Sequence, residues 1–149
     1  VLFRSSVNGK IVGYALIGQS FTSDKYFNGR PSAVNYNAAG SGGSNKGPSN
    51  PEYLATVQQR IDTFLAHNPS VKKEEIPAEL VTASASGQDP DLSPTGALIQ
   101  VARVAKTRNI SEEKIKQLVN EHVQQPLFGL FGTSRVNVLQ LNIDLDKLE

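Results

Sequence analysis

The chain predicts an α+β fold: a small antiparallel sheet, formed by an N-terminal hairpin plus a C-terminal strand, packed against about three helices with long ordered loops. Three observations lead there. Asn8-Gly9 divides two apolar runs near the start, RVNVLQLNIDLD closes the chain with apolar residues at alternating positions, and three intervening segments open on a capping residue before apolar side chains at helical spacing. At 149 residues the chain has the size of one domain. Such a domain buries roughly 68–70% of its unfolded surface, so residues 1–149 read as a single soluble domain.

Residues 2 to 17 form the hairpin, because Asn-Gly favours the positive φ angles of a tight type I′ turn. The first helix starts at Asn50 as N-cap with Pro51 behind it, carries Leu54, Val57, Ile61, Phe64 and Leu65 on one face, and stops at Asn68-Pro69. Ser93-Pro94 repeats the signal, with Ala97, Leu98, Val101, Ala102 and Ala105 following on one side through Arg108. Ser111 caps the third helix, Glu112 and Glu113 suit its first turn, and PLFGLFG ends it. In RVNVLQLNIDLD the alternation changes parity between Val138 and Leu139, which a β-bulge or burial on both faces accommodates. The segment reads as a strand that pairs with the hairpin.

Two helix-poor tracts remain, residues 19 to 49 and 76 to 92. Of the 23 residues from Asn28 to Asn50, 16 are Gly, Ser, Asn or Pro. Gly/Ser tracts are ordinarily flexible coils, yet Tyr26, Phe27 and Tyr36 supply anchors, and a loop longer than about 12–15 residues in a compact domain is either functional or disordered. The rings predict an ordered surface that meets a partner or ligand. Arg30, between Gly29 and Pro31, has a restricted backbone and five donors, and reads as a brace onto loop carbonyls or as a partner contact. The brace reading is stronger for Arg103, Arg108 and Arg135, which lie on a helix and at the opening of a strand.

Composition excludes several function classes. A net charge of +1 creates no field that calls for nucleic acid or an anionic membrane, and the absence of cysteine removes disulfides and thiolate chemistry. His67 and His122 have no second ligand at i+3 or i+4, so no metal is expected. DPDLS at 89 to 93 lacks the rhythm of a calcium loop and reads as a helix cap. GSGGSNKGPS misses the phosphate-loop pattern, since Lys46 is followed by Gly47 and Pro51 removes an amide. Ser41, Ser44, Ser84 and Ser86 read as turn formers; a serine hydrolase would need a base that the sequence does not place beside them. With no methionine at all, the chain reads as a piece of a longer protein whose preceding segment is absent.

Several blocks in order, LIGQSF at 16 to 21, YFNGRPS at 26 to 32, YNAAGSGGSN at 36 to 45, GPSNP at 47 to 51, VTASASGQDPDLSP at 81 to 94, QVARVAKTR at 100 to 108 and RVNVLQLN at 135 to 142, resemble the C subunit of the bacterial Kdp potassium-transporting P-type ATPase. The chain departs from the family pattern at Tyr14, Gln88 and Asp91. The resemblance implies a non-catalytic accessory subunit of the high-affinity ATP-driven potassium uptake complex, working in assembly and stabilisation beside potassium-translocating and ATP-hydrolysing subunits. It also implies a single N-terminal transmembrane helix absent from this chain, with the present domain on the extracytoplasmic side of the cell inner membrane. A role as catalytic chaperone for ATP binding by the pump subunit is implied as well, with Gln19 and the serine-rich motif as nucleotide contacts. About 30 Å of hydrocarbon would separate such a domain from cytoplasmic ATP, which favours conformational coupling over contact. ATP and potassium are then handled by partner subunits, with no cofactor bound directly. The alternatives are a regulator that contacts ATP itself and a small serine-dependent hydrolase. The candidates for partner binding or loop bracing are Gln19, Phe21, Tyr26, Phe27, Arg30, Tyr36, Asn37, Ser41, Ser44 and Asn45, with Thr82, Ser84, Ser86 and Asp89 as a second motif.

Overall fold

The computed structural model describes residues 4–148. β1 (Arg4–Val7) and β2 (Lys10–Tyr14) form the expected antiparallel hairpin, with Asn8 and Gly9 at φ 49° and 76°, the left-handed pair that a two-residue turn requires. Leu2 and Phe3, its expected first residues, lie outside the described residues. α1 spans Pro51–His67, and Asn50 Oδ1 accepts from Tyr53 N at 2.9 Å as its cap. Its apolar stripe is only partly covered: Phe64 packs on the core, whereas Leu54 is exposed.

Two short 3₁₀ turns, Lys73–Glu75 and Ala78–Leu80, lead towards β3 (Asp91–Leu92). The helix expected from Ser93 to Arg108 is divided into α2 (Pro94–Leu98) and α3 (Val101–Arg108). At the break Gln100 N bonds to Ala97 O at 3.1 Å, and the Gln100 side chain is wholly buried. α4 (Glu112–Glu121) follows under the Ser111 cap, and then come β4 (Val123–Gln124), β5 (Arg135–Asn137) and α5 (Val138–Leu145).

The C-terminal segment corrects the sequence expectation: only its first three residues are strand. Asn137 Oδ1 accepts from Gln140 N at 3.1 Å and opens α5. The buried residues of α5, Val138, Leu139, Leu141, Asn142 and Leu145, trace a helical face. Neighbouring strands explain the stop. β5 lies between β3 and β4 in an antiparallel sheet, and each neighbour has only two residues. A longer β5 would carry backbone groups with no ladder partner. Nor does β5 pair with the hairpin, which docks instead by side chains: Asn137 Nδ2 donates to Ala15 O at 2.7 Å and Gln140 Nε2 to Ser5 Oγ at 2.6 Å.

The core lies between this sheet and α2 to α5. Phe27, Val104, Ile115, Val119, Val136, Leu141 and Leu145 are fully buried in it, each contributing about 1.5–3 kcal/mol relative to exposure. No helix among the described residues is long and apolar enough to cross a membrane.

Candidate functional site

Phe27 is the only residue of the 19–49 tract in that core, and the backbone around it is held by side chains. Phe27 N donates to Asn142 Oδ1 at 2.9 Å, and Phe27 O accepts from Asn142 Nδ2 at 3.0 Å. Gln100 does the same for the next residue: Asn28 N donates to its Oε1 at 2.9 Å and Asn28 O accepts from its Nε2 at 3.1 Å. A carboxamide offers one donor group and one acceptor, so each side chain replaces a neighbouring strand where water is excluded. Asn142 and Gln100 are both buried. Gln100 sits at the break between α2 and α3, where its Nε2 also donates to Gly96 O at 2.9 Å.

Arg103 completes the clamp. Its Nη1 donates to Asp24 O at 2.6 Å and Tyr26 O at 3.0 Å, its Nε to Asn68 Oδ1 at 3.1 Å, and its Nη2 to Gln100 Oε1 at 2.7 Å. Burial lowers the pKa of this guanidinium, and Asp24, 3.8 Å away, opposes the shift. Arg103 thus makes the brace onto loop carbonyls that the sequence favoured for it, and Arg108 adds another from its Nε to Lys25 O at 2.7 Å. Tyr26 lies beside it, with its ring tilted against Phe21 at 5.7 Å, the Arg108 guanidinium 5.0 Å from its centroid, and its hydroxyl donating to Asp146 Oδ2 at 3.0 Å. Burial and the Asp146 carboxylate both raise its pKa.

The two helix-poor tracts are laced together beyond this clamp. Ser84 N donates to Pro31 O at 3.1 Å, Ser32 Oγ to Gly87 O at 2.6 Å, and Gly42 N and Ser41 Oγ to Ser86 O at 2.9 and 3.1 Å. Gln88 Nε2 donates to Asn37 O at 2.9 Å and Gly40 O at 3.3 Å, while Gln88 O accepts from Gly18 N at 2.8 Å. Gly87 sits at φ 70° where a Cβ would lie 2.8 Å from Gly42 O, so both its handedness and its lack of a side chain are needed. Tyr36 donates its hydroxyl to Arg30 O, and burial raises its pKa. Arg30 Nη1 pairs with Asp89 Oδ2 at 3.0 Å, and its Nε is buried without a hydrogen-bond partner. This ion pair adds a charged link between the two tracts to the hydrogen bonds that lace them.

The remaining candidates divide between inside and outside. Gln19 Nε2 donates to Val12 O at 3.3 Å, and Thr82 Oγ1 to Ala78 O at 2.7 Å. Ser44 is half-buried, and exposed Asn45 takes a left-handed turn at φ 52°. In the Gly-rich stretch the Gly42 amide is used by the lacing and the Gly40 amide by a local turn onto Asn37 O at 3.0 Å, and Lys46 Nζ pairs with Glu52 at 3.2 Å. His67 faces Asp24 at 2.8 Å, and His122 bridges Leu118 O and Asp144 at 2.9 and 2.8 Å. Among the described residues no three His, Cys, Asp or Glu side chains are placed to hold a metal ion. Gln100 and Asn142 escaped sequence reasoning. Their one signal was an amide placed among apolar residues that themselves point inward.

Known relatives share this chain nearly end to end. The family model described as KdpC, K+-transporting ATPase, c chain, matches residues 3–147. The Potassium-transporting ATPase KdpC subunit of Flavobacterium psychrophilum is 64% identical over 144 residues, covering 97% of this chain and 77% of that protein. Those of Bacteroides fragilis and Caldanaerobacter subterraneus are 55% and 51% identical, covering 97% and 93% of this chain and 76% and 72% of theirs. The chain belongs to the KdpC family.

The blocks that resemble KdpC sequences fall on the parts that hold one another. YFNGRPS supplies the clamped backbone and Arg30, YNAAGSGGSN and SASGQ supply the lacing, and QVARVAKTR and RVNVLQLN bring Gln100, Arg103 and Asn142.

Proposed function

We propose that this domain is a non-catalytic accessory subunit of a K+-transporting ATPase, contributing to assembly and stabilisation of the complex. On this reading it docks against the potassium-translocating and ATP-hydrolysing subunits through the surface made by residues 28–50 and 82–92. The observation that carries the reading is the lacing. Serine, glutamine and backbone groups of one tract bind the backbone of the other, leaving a rigid polar face whose ordering cost is met before any partner arrives. Family membership supports the partner, since the matching family is described as a chain of a K+-transporting ATPase. On the same reading the domain lies on the extracytoplasmic side, tethered by an N-terminal membrane helix, and any effect on ATP affinity reaches the pump subunit by conformational coupling. The bracing of Gln19 onto the hairpin backbone supports a structural role for that residue over nucleotide contact.

The test places a bulky charge on exposed residues of the face, Ala38→Arg, Ala39→Arg and Ala85→Arg, in the full-length subunit. Each variant should keep its thermal midpoint yet lose co-purification with the other subunits. Normal assembly of all three would remove this face as the docking surface. Titration with ATP should leave amide shifts unchanged; saturable shifts at Gln19 or Ser84 would transfer the role to direct nucleotide binding.

A further inference from the structure

Between β4 and β5 the chain leaves the body of the domain in a short apolar finger, Pro126 to Gly132. Leu127, Phe128, Leu130 and Phe131 are 63%, 84%, 81% and 67% exposed. Scattered exposed hydrophobics need no explanation, but four large ones in five residues make a contiguous patch of the kind that marks an interaction site. The finger is also ordered. Leu127 N donates to Phe131 O and Phe131 N to Leu127 O, both at 3.0 Å, Leu130 N donates to Leu127 O at 3.1 Å, and Gly129 N to Pro126 O at 2.9 Å. Phe128 and Gly129 turn the tip at φ 54° and 72°, an uncommon conformation for a bulky residue that sets the Phe128 ring at the apex. Four of the five amides from Leu127 to Phe131 are thereby satisfied within the finger.

We propose that this finger inserts into an apolar cleft on another subunit of the same assembly, with Phe128 and Leu130 as its anchors. The inference rests on the reading of this domain as a subunit. No charged residue occurs from Pro126 to Ser134, and the base of the finger is polar and cross-linked. Ser134 Oγ donates to Gln125 Oε1 at 3.1 Å, Arg135 Nε donates to Gln124 Oε1 at 3.1 Å, and Arg135 also lies 3.4 Å from Asp91. An uncharged apolar centre inside a hydrogen-bonded polar rim is the anatomy of a protein interface, and obligate assemblies have the most apolar ones. A lipid surface fits less well. Membrane-inserting segments are flanked by Trp, Tyr or free Lys and Arg at headgroup level, whereas the finger has no Trp or Tyr and its one adjacent cation is engaged by Gln124 and Asp91. The rigid turn also favours a pocket of fixed shape, since little freedom is lost on docking.

The test uses the full-length subunit expressed with its partners. Phe128→p-benzoylphenylalanine, irradiated in the intact complex, should cross-link to one partner subunit. Phe128→Asp combined with Leu130→Asp should keep the thermal midpoint, because both side chains are exposed, and should lower the yield of co-purified partner about tenfold or more, as loss of an aromatic hot spot does. Cross-linking to lipid alone, or full co-purification of the double variant, would overturn the proposal. If the double variant assembles while the Ala38, Ala39 and Ala85 variants do not, the finger is excluded and the polar docking face stands.

Discussion

Arg103→Ala should be among the most destabilising single changes in the domain. The guanidinium serves four acceptors, the carbonyls of Asp24 and Tyr26 and the side-chain oxygens of Asn68 and Gln100. Gln100 Oε1 keeps Asn28 N as a donor after the change. Tyr26 O and buried Asn68 Oδ1 lose a donor that the structure does not replace. Stranding a buried polar group costs about 1–3 kcal/mol, and the void left by the side chain adds to it. Relief of burying a cation, visible in its lowered pKa, offsets part of the loss. The expected net destabilisation is about 3–5 kcal/mol, a large share of the 5–15 kcal/mol typical of a domain. At about 2–4 °C per kcal/mol for a chain of this length, the thermal midpoint should fall by roughly 6–20 °C, followed by far-UV circular dichroism. Hydrogen exchange at Phe27 and Asn28 should accelerate together with it. Arg103→Lys should restore only part of the loss, because an ammonium cannot reproduce the planar fork. A loss below about 1 kcal/mol for Arg103→Ala, judged against the cost of a single stranded group, would refute the clamp as the support of the 19–49 tract.

Asn142→Leu keeps volume but strands both backbone groups of Phe27, and urea denaturation should report a loss of about 2–4 kcal/mol. Gly87→Ala meets the Gly42 carbonyl in a left-handed backbone and should cost about 1–3 kcal/mol by thermal melting, with amide shifts confined to the two laced tracts. Two aspartates should bend the pH profile in opposite senses. The Asp144 carboxyl is held low, chiefly by the hydrogen bond from Lys147 and then by His122, so its contribution is present above about pH 3.9 and is lost as pH falls through its lower folded value. Burial raises the Asp91 carboxyl, so there the folded state holds its proton longer and stability falls as pH rises through that window. In acid titrations of stability, Asp144→Asn should flatten the acid-side decline and Asp91→Asn should remove the loss on the rising side.

Local signals determined much of this fold from the chain alone. Asn8-Gly9 sets the hairpin because few other pairs tolerate two consecutive positive φ angles, and Asn50-Pro51, Ser93-Pro94 and Ser111 start helices because their side chains satisfy first-turn amides wherever the helix later packs. The rings of Tyr26, Phe27 and Tyr36 likewise announced that the polar tract is anchored. Tertiary structure decided the rest. From Val138 onward the apolar positions satisfy both an alternating and a helical spacing, and the choice fell to helix because β3 and β4 end after two residues and Asn137 could cap. The identity of the clamp was equally hidden: an amide such as Gln100 or Asn142 has no local reason to be buried, and gains one only when a backbone distant in sequence arrives with unpaired N–H and C=O groups beside it. Hydrogen bonds spanning 72 and 115 residues are not encoded in any local window; they exist because a folded interior excludes the water that would otherwise satisfy those groups.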